Sequence, residues 1–111
     1  MTVVAKSLLE AKYAENAQTT QYTAGTGTRT ILDKFTAYNG TAGAVTLAIN
    51  VVPSGSTAGA SNLLVSKSLA AGETYTFPEV IGQVLNSGDF VSTIAGAATS
   101  IVIRMSGREV T

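Results

Sequence analysis

The clearest pattern in the chain is a strict alternation between residues 44 and 51. Val45, Leu47, Ile49 and Val51 fall on one side, and Ala44, Thr46, Ala48 and Asn50 on the other. A period of two with one apolar face marks a half-buried strand. Burying four such aliphatic side chains is worth about 6–12 kcal/mol before entropy is counted. Residues 28–39 read as a longer strand, with Ile31, Phe35 and Ala37 on one face and Leu32 and Tyr38 on the other; Asp33 falls on the apolar face and interrupts the pattern. Ser100 to Ser106 places Ile101, Ile103 and Met105 on a common inner face. Shorter β-prone runs occur at Thr19–Thr23, Leu63–Leu69, residues 73–77 and residues 90–94.

Between these runs the chain is punctuated by small and turn-forming residues. Ala24-Gly25-Thr26-Gly27 reads as a turn, and residues 39–43 read as a hairpin loop opened by Asn39-Gly40. Pro53 ends the alternating strand, and residues 54–62 form a long loop of small residues. Pro78 to Leu85 reads as one or two helical turns, because Pro is tolerated in a first turn and Glu79 suits a helix start. Seven or eight short strands at this spacing predict an all-β fold, a single β-sandwich with the jelly roll as one arrangement of it.

The first residues read differently. Ala5, Leu8, Leu9, Lys12 and Tyr13 recur at helical spacing among good helix formers, which predicts a short amphipathic helix over residues 5–15. An isolated helix of that length is marginal in water and must dock, either on its own domain or on a neighbouring subunit. The expected organisation is therefore an N-terminal helix or arm over residues 1–17 and a sandwich domain over 18–111. Leu8, Leu9 and Tyr13 are candidate partner-binding residues of the arm, and Ser56, Thr57 and Asn62 are candidates on the long loop, since loops on a rigid scaffold often carry contacts.

Composition narrows the chemistry. With no Cys and no His, the chain has no disulfide framework, no Cys/His zinc site and no imidazole base. Asp33, Glu73, Glu79 and Asp89 are scattered, and two of them follow a glycine as turn residues do, so neither a paired-acid site nor a calcium cluster is expected. Gly25-Thr26-Gly27-Thr28 leads into a strand rather than a helix, which makes it a tight hairpin turn and not a phosphate cradle. A serine nucleophile would lack a histidine base. No catalytic residue, cofactor or metal is expected, and the chain is not expected to be an enzyme.

Seven basic and seven acidic residues cancel, and the bases are dispersed, so no nucleic-acid partner is expected. Only 13% of residues are charged, while Thr, Ala, Gly and Ser supply 53 of the 111. Such a neutral surface associates readily, as it would when covered by neighbours in an assembly. The opening residues lack a charged leader followed by an apolar run, and no stretch approaches a membrane span, so synthesis in the cytoplasm and no membrane partner are expected. Asn39-Gly40-Thr41 matches a glycosylation sequon, which is inert without export.

Several segments together carry a family resemblance. They are residues 57–63 (Thr-Ala-Gly-Ala-Ser-Asn-Leu), 71–75 (Ala-Gly-Glu-Thr-Tyr), 78–85 (Pro-Glu-Val-Ile-Gly-Gln-Val-Leu), the ending Ser106-Gly107-Arg108-Glu109-Val110-Thr111, and the opening run 5–13. Spanning nearly the whole chain, they resemble a family of small tailed-bacteriophage virion structural proteins. The resemblance implies a virion protein made in the host bacterial cytoplasm, most simply a capsid decoration or cement protein that binds the major capsid protein or other virion subunits and forms a homo-oligomer. The alternative it implies is a tail, neck or fibre component, including a host-glycan-binding module. None of the motifs is a chemical site, so no functional residue is transferred by the resemblance.

Overall fold

Alternation becomes structure most directly in the middle of the chain. The computed structural model describes residues 1–111 and contains nine strands: β1 (Val3–Tyr13), β2 (Thr19–Thr23), β3 (Arg29–Asn39), β4 (Val45–Val52), β5 (Leu63–Leu69), β6 (Thr74–Tyr75), β7 (Val84–Leu85), β8 (Phe90–Ala95) and β9 (Ile101–Val110). A single 3-10 turn, Ala60–Asn62, is the only helical element. All pairings are antiparallel. One sheet runs β1-β9-β3-β6, with β7 also on β3, and the other runs β2-β8-β4-β5.

This order is that of a jelly roll. With β7 set aside, the eight remaining strands pair first with last: β1 with β9, β2 with β8, β3 with β6, and β4 with β5. That is a long hairpin rolled up on itself, closed by the β9–β3 and β8–β4 contacts. The predicted sandwich is therefore observed, in its jelly-roll form. A consequence is that β4 and β5 are the only consecutive strands that pair. The turns at residues 24–28 and 39–43 do not close hairpins, as the sequence suggested; each carries the chain from one sheet to the other. Their local chemistry is as expected, with Thr28 N–H bonded to the Gly25 carbonyl at 3.0 Å and Gly27 at φ 74°.

The core lies between the sheets. Leu47 and Ile49 of β4, Phe35 and Ala37 of β3, and Ile101, Ile103 and Met105 of β9 are fully buried there with Leu69, Phe77, Val80 and Leu85. Phe77 packs edge-on to Phe35 and to Tyr75, with centroids 5.6 and 4.8 Å away. Edge-to-face aromatic pairs add about 0.5–1.5 kcal/mol to the area they bury. Beyond the aromatic cluster, Lys67 of β5 lies 4.6 Å from the centroid of the Tyr75 ring and spans the two sheets along that side.

Three expectations are corrected by bulges and by a turn. Residues 5–15 are not a helix: residues 5–13 form most of β1, which is paired with β9 from Val3↔Val110 to Tyr13↔Val102, and 14–15 follow it outside any element. Register shifts between Ser7 and Leu9 and between Leu9 and Lys12 break the period of two. The first shift turns Leu8 into the core and leaves Leu9 packed against it, so adjacent apolar residues that mimic helical spacing are both used by a bulged strand. Asp33 is not an inward-facing flaw in β3. A register shift between Leu32 and Lys34 reverses the faces there, so that Leu32 rather than Ile31 is buried and Asp33 is exposed. Residues 78–82 form hydrogen-bonded turns instead of a helix, because Gly82 adopts φ 85° and donates its N–H to the Leu32 carbonyl at 2.6 Å.

Candidate interaction surfaces

The two sheets differ in charge. Strands β2, β4, β5 and β8 contain one charged residue, Lys67, whereas β1, β3 and β9 hold nine of the fourteen in the chain. Because Leu47 and Ile49 point inward, Thr46 and Ala48 point outward, and their cross-strand neighbours Ser66, Ser68 and Ile94 share that face. The result is an uncharged sheet surface of small side chains. Desolvating such a face costs far less than desolvating a charged one, and the centres of protein interfaces are depleted in charge for that reason.

Loop 53–62 folds over one end of this sheet and is fixed from within. The Asn62 amide Nδ2 donates to the Thr57 carbonyl at 2.9 Å, while its Oδ1 accepts from Gly59 N–H at 3.0 Å and from Asn50 Nδ2 at 2.7 Å. Asn50, on the outward side of β4, also donates to the Gly59 carbonyl at 2.9 Å. The loop thereby covers Asn50 and Val52, which are buried although they point away from the main core. Asp89 secures its start, accepting from Ser54 N–H at 2.9 Å. A shallow depression of about 420 Å³ is lined by Pro53, Gly55, Ser56, Thr57, Ser61 and Asn62.

The sequence-selected residues therefore separate into three places. Ser56, Thr57 and Asn62 come together in the loop depression, with Asn62 acting as the loop's internal brace. Leu8 is 8% exposed and lies in the core, and Leu9 is half-buried against it. Tyr13 is exposed on the outer face of the charged sheet, in a row with Val102 and Tyr38. Sequence reading missed both the neutral sheet face and this aromatic row. The first was legible as the near absence of charge in four strands; the second requires knowing that β9 lies between β1 and β3.

One polar cluster clasps the sheets at the end that holds both termini. Tyr22 of β2 donates its hydroxyl to Glu109 of β9 at 2.6 Å and lies 2.7 Å from the Thr30 hydroxyl of β3. Lys6 of β1 reaches the other Glu109 oxygen at 3.3 Å. The Tyr22 hydrogen bond, followed by the Lys6 bond and charge, holds the Glu109 carboxyl below its ordinary value despite opposition from burial. Burial, and then the Glu109 bond, push the Tyr22 phenol up to about 12. On the outer face, Arg108 grips Asp33 with contacts of 2.9 to 3.2 Å. These groups are paired structurally across strands, and no group of three or more His, Cys, Asp or Glu residues gathers to hold a metal ion. No helix is long and apolar enough to cross a membrane.

No protein-family model and no curated protein matches the chain. Among solved structures, a chain from Bacillus endospore appendages, described as a novel family of disulfide-linked pili, matches with a TM-score of 0.52 and 18% identity. That match covers 99% of this chain and 88% of the other. A chain from infectious bursal disease virus, Gt strain, matches with a TM-score of 0.46 and 10% identity. It covers 97% of this chain, which spans about a third (32%) of the viral chain's length. At 18% identity, the first likeness establishes the sandwich fold.

Proposed function

We propose that this protein is a non-enzymatic structural subunit of a bacteriophage virion, a decoration or cement protein that stabilises the shell by binding between major capsid subunits. The observation that carries this reading is the uncharged sheet face of β2, β8, β4 and β5, continued by the neutral loop 53–62. A subunit repeated many times by symmetry needs a surface that loses water cheaply, and the lack of charge on this face suits that need. The appendage protein with the similar fold is described as forming disulfide-linked pili. This chain has no cysteine, so its own assembly would rest on non-covalent contacts and respond to concentration by mass action.

The test compares particles with and without the protein. Particles lacking it should release their genome at lower temperature, and adding back the purified chain should restore resistance. Charge introduced on the neutral face, as in Ala48→Asp or Ser66→Lys, should abolish rebinding while leaving the free domain folded. Equal heat resistance with and without the protein would end the proposal. A tail or fibre location is the second reading, and the aromatic row on the opposite sheet is the observation that favours it.

A further inference from the structure

The outer face of the β1-β9-β3-β6 sheet carries one row that is aromatic where an exposed sheet face is ordinarily polar. Tyr13 opposes Val102, Val102 opposes Tyr38, and Tyr38 opposes Thr74. Directly opposed residues share a face. Ile101, Ile103, Ala37 and Asn39 are fully buried, so this row points outward. Tyr13 is 52% exposed and Tyr38 44%. Glycine at position 40 leaves room for the second ring, since a Cβ there would stand 3.2 Å from its Cε2 atom. The other two tyrosines, Tyr22 and Tyr75, commit their hydroxyls to Glu109 and Glu79 inside the chain.

Spacing and size identify the occupant. Tyr13 and Tyr38 are two strands apart, about 10 Å, on a rigid sheet. An extended β-linked polysaccharide presents an apolar pyranose face at about that interval on every second sugar, and aromatic side chains stack on such faces. In the next row along the sheet lie Thr36 and Arg104, which supply donors to sugar hydroxyls. A second protein copy fits less well: a stable interface buries about 800 Å² on each side. Here three apolar side chains stand in a single row, with charged Arg104 in the next row along the sheet.

We infer that Tyr13 and Tyr38 form a two-ring platform for an extended, neutral, β-linked glycan. This deepens the second reading, and it holds or fails independently of shell stabilisation. The full chain is titrated with chitohexaose and cellohexaose, with the curved α-linked maltohexaose for comparison, following amide chemical shifts and tyrosine fluorescence. Saturable binding of a β-linked hexamer is expected, with shifts centred on residues 13, 38 and 102. Tyr13→Ala and Tyr38→Ala should each weaken it by about tenfold, while Thr26→Ala, at an exposed turn position before the far end of β3, leaves it unchanged. Three results would overturn the inference: no binding at millimolar glycan, shifts that map away from this row, or tyrosine variants that bind normally. Sedimentation of the same variants gives a fourth, because a concentration-dependent dimer lost with the tyrosines would make the row a contact between copies. Heat resistance of particles carrying Tyr13→Ala and Tyr38→Ala reports on the shell role separately and should be unchanged.

Discussion

Replacing Asn39 by aspartate tests whether one buried amide fixes the corner where β3 leaves its sheet. Asn39 is completely buried, and all four of its amide hydrogen-bonding positions are filled. Nδ2 donates to the carbonyls of Gly43 at 2.8 Å and Leu69 at 3.0 Å. Oδ1 accepts from the Thr41 N–H at 3.0 Å and the Thr41 hydroxyl at 2.7 Å. Its backbone bonds Glu73 and Gly72 in the β5–β6 turn. The amide thus ties the β3–β4 crossing to the end of β5. Aspartate keeps the shape and the Thr41 bonds but turns two donors into an acceptor facing two carbonyl oxygens. Each buried group left unpaired costs about 1–3 kcal/mol, and the new charge adds to that, so a loss of about 3–5 kcal/mol is expected at pH 7. That is a large share of the 5–15 kcal/mol typical of a domain. Urea unfolding should show a lower midpoint with an unchanged slope. The new carboxyl is held above its unfolded value of about 3.9, because the folded site disfavours the charge. A raised folded value means that the deficit is greatest above that value and shrinks as pH falls toward 3.9. A variant within about 1 kcal/mol of the parent at pH 7, or a deficit unchanged between pH 7 and pH 3.5, would refute the reasoning.

Three further outcomes follow from the packing. Gly107→Ala would place a methyl 2.2 Å from the Ile31 carbonyl oxygen and 2.9 Å from Leu8 Cδ1, between two bulged strands. Since backbone must move, a loss of about 2–3 kcal/mol is expected by urea unfolding, and a neutral effect would show that the β1–β9–β3 approach is looser than described. Leu8→Ala should cost the isolated domain about 2–4 kcal/mol and Leu9→Ala clearly less, measured by thermal unfolding; equal small losses would remove Leu8 from the core. Glu109 carries a lowered folded value, so its contribution is present above its unfolded value near 4.5 and is lost as pH falls through the folded one. Glu109→Gln should therefore be less stable than the parent at pH 7 and lose less stability between pH 5 and pH 3; parallel pH profiles would remove the clasp from the account.

The sequence by itself determined the class of fold and most of the strands. Its alternations over residues 44–51 and 100–106 are local, since period two requires only that one face be buried. Pro53 and the glycine-rich turns likewise state where the chain bends. Tertiary structure decided the rest. It made residues 5–13 part of a strand, because β9 offers a ladder that outweighs weak helical nucleation. It placed bulges at Leu8 and Asp33; the sequence showed the second only as an interruption of the pattern, since a bulge erases the alternation that would locate it. It also turned two apparent hairpins into crossings between sheets. Pairing in a jelly roll joins the first strand to the last, so partners such as Tyr13, Val102 and Tyr38 lie far apart in sequence and meet only once the roll is closed.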